Sequence, residues 1–98
     1  MKEIRLDASE WKTKDDFYDA LLPALGAPAW HGRNLDALND SISSDEINEV
    51  SLPFRFLLVG TKSVPSELRV YLKKFAELVA DLPTHRGADV SLICEPPL

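Results

Sequence analysis

Cysteine occurs once in the 98-residue chain, at Cys94. No disulfide can therefore close within it, and apolar burial must hold the fold. That usage suits a reducing compartment. Histidine occurs twice, at His31 and His85, and with Cys94 these scattered positions match no zinc-ligand spacing. No metal and no cofactor is expected. No stretch approaches the roughly 18 apolar residues that span a bilayer. The opening Met1-Lys2-Glu3-Ile4-Arg5 offers no apolar run of the signal-peptide kind, so a cytoplasmic protein without a membrane partner is expected. Basic side chains are the scarcer sign, with 11 Lys and Arg against 16 Asp and Glu and a formal charge of −5. Phosphate contacts need Lys and Arg, so direct nucleic-acid binding is disfavoured. The acidity suits a basic partner, or serves solubility alone.

What is present is an ordinary globular composition, 45% hydrophobic and 28% charged, in a length that suits one domain over residues 1–98. Glu3 to Asp7 alternates polar and apolar residues, as a half-buried strand does. Thr13 is a good N-cap, with Asp15 and Asp16 in the first turn, and Phe17, Ala20, Leu21 and Leu25 follow at helical spacing. Gly26 marks the stop, and Pro23 predicts a kink or an early end. A loop spans 27–33. Asn34 caps a second helix reaching about Ser43, with Leu35, Leu38 and Ile42 inward. Residues 45–51 are polar loop. Phe54 to Val59 reads as a central strand, residues 60–64 as a turn, and Pro65 as the first position of a helix. Leu68, Tyr71, Leu72, Phe75, Leu78, Val79 and Leu82 keep the helical period until Pro83 and Gly87 end it. Ala88 to Cys94 is the last strand. The order β-α-α-β-α-β predicts an α/β fold, a small three-stranded parallel sheet with helices packed against it.

Gly60-Thr61-Lys62-Ser63 follows a strand, as the end of a phosphate loop does. However, Arg55 stands where that motif needs its first glycine, and Thr61 separates Gly60 from the lysine, so an ordinary turn is the reading. Nucleophilic catalysis needs a nucleophile, a base and an orienting group together. His31, His85 and Cys94 are the obvious candidates, and nothing at motif spacing joins them. Cys94 reads as a small buried hydrophobe and His85 as a solvated loop residue. Asp36 and Asp40 differ, because four residues apart they share a helix face opposite the Leu35, Leu38, Ile42 stripe. Their mutual repulsion costs a few tenths of a kcal/mol. Beside Trp30 at a loop-helix junction they form either a binding surface or a solvated face over a core tryptophan.

The run Trp30-His31-Gly32-Arg33-Asn34-Leu35-Asp36-Ala37-Leu38, followed by Asp40, resembles the signature of the barstar family of ribonuclease inhibitors. That signature is an aromatic residue, any residue, Gly, any residue, Asn-Leu-Asp-Ala-Leu and a further acidic residue. The likeness is dense over about fifteen residues, and length and element order suit the family along nearly the whole chain. It implies a protein that is monomeric when free and that blocks the active site of a basic, guanyl-specific ribonuclease without being an enzyme. In that reading Asp40 enters the nuclease site in place of the substrate phosphate, and Asp36 pairs with a basic group at its rim. Trp30 takes the position of a tyrosine that packs on the catalytic histidine. Gly32 and Asn34 shape the loop and supply backbone contacts.

Two substitutions and one loose correspondence bear on the partner. Asn39 replaces a tryptophan, which removes an aromatic contact. Arg33 replaces an acidic residue and would oppose a basic partner. The family's acidic contact on its last helix corresponds to Glu77 or Asp81, without a choice between them. One long helix also follows the second strand, where the family has a short and a long one, and Leu52-Pro53 matches a peptide that is cis in the family. A barstar-like module for a partner that is not a ribonuclease is the alternative, since fold and motif do not name a partner.

Overall fold

The computed structural model describes residues 2–98. Strand β1 is Lys2–Asp7, helix α1 Lys14–Leu25, helix α2 Leu35–Ser44, strand β2 Phe54–Val59, helix α3 Ser66–Arg86 and strand β3 Val90–Glu95. The strands form one parallel sheet in the order β1-β2-β3, with Ile4 level with Phe56 and Phe56 level with Leu92. The order and the parallel sheet are those the sequence predicts. Parallel neighbours need a crossover, which α1 with α2 supplies for the first pair and α3 for the second.

Alternation sets the sheet's two faces. Ile4, Leu6, Phe54, Phe56, Leu58 and Val90 are buried on one face, while Glu3, Arg5, Asp7, Ser91, Ile93 and Glu95 stay exposed on the other. On that second face Arg55 donates to Glu3 at 2.6 Å. The helices bury Phe17, Tyr18, Leu21, Leu38, Ile42, Leu68, Leu72, Phe75 and Val79 against the apolar face. Aromatic edges set its centre, where Phe17 meets Phe75 at 5.0 Å and Phe56 meets Phe75 at 5.4 Å, both T-shaped. The Tyr18 and Tyr71 hydroxyls bond each other at 2.5 Å, and burial together with that bond pushes the Tyr18 phenol up.

Helix α1 starts with a full capping box. The Asp16 amide donates to Thr13 Oγ1 at 3.4 Å, and the Thr13 amide donates to Asp16 Oδ2 at 3.1 Å. Gly26 ends it at φ 67. A side chain there would be strained and would meet Glu49, whose Cβ lies 2.5 Å from the added carbon. That close approach lets the Glu49 and Val50 amides bond the carbonyls of Gly26 and Leu25 at 3.1 and 3.0 Å. The residues after α2 are thereby tied to the end of α1.

Both prolines expected to bend or end a helix lie inside one. Pro23 falls two residues before the end of α1, and Leu21 and Leu25 are fully buried on either side of it. Pro83 does not end α3, which runs on to Arg86 and stops at Gly87, φ 67, whose amide bonds Leu82 O. A proline forfeits one backbone bond. Here that loss falls near each helix end, where burial of Leu25 and Leu82 and a glycine cap offset it. The segment 60–64 holds a single 3-10 turn, Thr61–Ser63, and Pro65 is the N-cap of α3, not its first residue. The last strand starts two residues later and ends one later than the sequence suggests. Leu52-Pro53 is cis, as the family resemblance implies, and Glu95-Pro96 is cis as well.

Candidate functional site

The site is built where the loop after α1 enters α2. Asn34 takes an extended conformation, φ −154, and its Oδ1 accepts the Ala37 amide at 2.7 Å, satisfying one of the open donors of the first turn. Gly32 lies so close that an added Cβ would come 3.0 Å from Ala37 Cβ and 3.1 Å from Asn34 Nδ2. A larger residue would push the loop off the helix start, so Gly32 and Asn34 do shape this junction.

Beneath the loop sits His31, only 6% exposed. Its Nδ1 lies 2.7 Å from Gly32 O and its Nε2 2.8 Å from Ser41 Oγ, while Asn48 Nδ2 donates to the same hydroxyl at 3.1 Å. A carbonyl only accepts, so Nδ1 carries a proton. The Ser41 hydroxyl accepts from Asn48 and lies between Nε2 and the Leu38 carbonyl, 3.2 Å away. His31 thus pins the loop onto α2. It does not meet the other catalytic candidates: His85 is exposed on α3, with Nδ1 3.2 Å from Asp81 O, and Cys94 is on β3. Cys94 is half-buried, less than the full burial its sequence context suggests, and burial pushes its thiol up. Among the described residues no three metal-ligating side chains come together.

With His31 facing in, its neighbour faces out. Trp30 is 73% exposed, so the core reading of this tryptophan does not hold. Asp36 and Asp40 are both exposed, opposite buried Leu38 and Ile42. Asn39 is half-buried at the α2–α3 border, in a depression with Leu78, Asp81, Leu82, His85 and Arg86. Of the two acidic candidates on α3, Asp81 therefore borders α2, whereas Glu77 lines a groove with Ala76, Ala80 and β3. The structure thus brings Trp30, Asp36, Asn39 and Asp40 onto one loop-helix unit with Asp81 alongside.

Arg33 does not face outward as an unpaired cation. Its Nη2 donates to Asp19 Oδ1 at 2.9 Å and to Asp15 O at 2.9 Å, with Asp15 Oδ1 at 3.4 Å, and the guanidinium lies 5.7 Å from the Tyr18 ring centroid. Two exposed carboxylates of α1 thus pair with it in the free protein. Sequence reasoning missed this pairing and also missed Arg86, whose Nη2 lies 3.8 Å from Asp40 Oδ1. Neither pair is local in sequence, and no pattern along the chain signals them.

Residues 1–94 match the family model described as Barstar (barnase inhibitor). No curated protein matches the chain.

Proposed function

The chain belongs to the barstar family, and on that premise we propose that it is a cytoplasmic inhibitor, of the antitoxin or immunity type, of a basic guanyl-specific ribonuclease. It is monomeric when free and catalyses nothing itself. One observation carries this reading: two exposed carboxylates, Asp36 and Asp40, lie on the helix that follows an exposed tryptophan, and the intervening loop is held by the hydrogen bonds of buried His31. A nuclease site that holds RNA phosphate concentrates positive potential, and a pre-set acidic face complements it. Asp40 replaces the phosphate there, accepting bonds from Arg, Lys and His, and such charge-assisted pairs are strong when every charge is matched. Asp36 and Asp81 meet basic groups of the rim. Trp30 supplies a large rigid surface against an imidazole, while Gly32 and Asn34 present the loop backbone. Asn39 offers an amide in place of a large aromatic contact, so the partner has a shape of its own at this point.

The test is titration of the protein into a small, basic, guanyl-specific microbial ribonuclease while RNA cleavage is followed. Stoichiometric inhibition is expected. Asp40→Ala should weaken it by about 2–5 kcal/mol, because it leaves buried cations of the nuclease unpaired. Stability should shift by no more than about 0.5 kcal/mol, since the side chain is exposed. Capture of a cellular partner without nuclease activity would instead select the second reading, a barstar-like module for another protein.

A further inference from the structure

The carboxylate that carries the proposed inhibition already has a cation of its own chain beside it. Arg86 occupies the last turn of α3, where the helix dipole favours a positive charge, and Gly87 stops the helix directly after it. From there its Nη2 reaches to 3.8 Å from Asp40 Oδ1, with 49% of the Arg86 side chain and 72% of the Asp40 side chain exposed. A charge-assisted hydrogen bond would close to about 2.7–2.9 Å. This pair is therefore a loose, hydrated ion pair, not a locked one. Arg86 also stands between two shallow depressions of the surface, one lined with Asp40, Ser43 and Ser44, the other with Asn39, Asp81 and His85.

We propose that Arg86 makes an autoinhibitory contact on the acidic surface, as an internal competitor that a partner's cation must displace from Asp40. The inference rests on the reading of Asp40 as the central contact. A hydrated pair of this kind is weak and exchanges readily. A guanidinium that forms two parallel bonds to Asp40 replaces it with a gain, whereas a single ammonium gains less over what Arg86 already provides. Every partner cation gives up the same Arg86 contact, so Arg86 lowers the affinity of arginine and lysine alike and excludes partners whose cations bind Asp40 too weakly to displace it. Its charge also offsets that of Asp40 in the free protein, so the carboxylate is not exposed uncompensated to every basic protein.

The experiment uses a hexa-arginine peptide as probe, with binding followed by calorimetry and by the side-chain carboxyl resonance of Asp40. The chains compared are wild type, Arg86→Ala, Asp40→Ala and the double variant. Arg86→Ala should bind the peptide up to about five-fold more tightly, the range expected for removal of a competing surface pair. The gain should vanish in the Asp40→Ala background, because the competition is for that carboxylate. Arg86→Gln, which keeps a long helix-compatible side chain, should behave as Arg86→Ala does. An equal gain with and without Asp40 would show that only net charge matters and would overturn the proposal, as would no gain or no binding by any variant. The assay needs no nuclease, so failure to inhibit a ribonuclease sinks the inhibitor reading alone and leaves the outcome for Arg86 distinct.

Discussion

Neighbouring residues in the loop before α2 have opposite duties. Trp30 is 73% exposed and His31 6% exposed, although they are adjacent in the chain. Trp30→Ala should leave the melting transition unchanged and weaken binding to a cognate nuclease by about 2 kcal/mol or more, as loss of an exposed aromatic anchor does. His31→Ala should do the reverse in the free protein. It strips Gly32 O and the Ser41 hydroxyl of a buried partner, and urea denaturation should show a loss of about 1–3 kcal/mol. Equal stability of the two variants would contradict these assignments. Arg33 illustrates the same scale: its meaning lies in Asp15 and Asp19, 18 and 14 residues away, and not in its own charge.

At the scale of elements, the caps decide where helices begin and so where site residues stand. Helix α1 presents Asp15 and Asp19 to Arg33, and its start depends on Asp16. The Lys12 amide bonds Asp16 Oδ2 at 2.8 Å and the Thr13 amide at 3.1 Å, and these bonds hold the carboxyl below its ordinary value. A carboxylate depressed in the folded state contributes stability that is present above the unfolded pKa and is lost as pH falls through the folded one. Asp16→Asn should therefore destabilise the protein at neutral pH and converge with the parent chain in strong acid. Urea denaturation from neutral pH down through the carboxylate range checks this, and a constant difference across that range would show that the charge of Asp16 plays no part. Helix α3 extends past Pro83 for the same class of reason. Burial of Leu82 and the Gly87 cap outweigh one missing bond, and only that extension brings Arg86 to Asp40.

For the whole molecule, a formal charge of −5 meets a proposed partner of opposite sign. Association should then be steered by long-range attraction, with a rate constant that falls steeply as salt rises, while dissociation changes far less. Stopped-flow mixing at a series of salt concentrations measures this directly, and an association rate independent of salt would argue against an electrostatically guided encounter. No helix among the described residues is long and apolar enough to cross a membrane.

Whatever depends on local periodicity and local chemistry was determined by the sequence itself. The alternation in β1, the apolar run of β2, the helical stripe from Leu68 to Leu82 and the Thr13 and Asn34 caps lead to β-α-α-β-α-β and a parallel sheet. The Asp36 and Asp40 spacing leads to a shared exposed face. Tertiary structure decided what depends on distance through space. It turned Trp30 outward by burying His31 under the loop, paired Arg33 with α1, chose Asp81 over Glu77 as the neighbour of Asn39, and placed Arg86 against Asp40. The physical reason is one of range. Turns, caps and amphipathic stripes arise from residues within a few positions of each other, whereas a charge pair between α2 and α3 forms only after the shared core has fixed how the two helices pack.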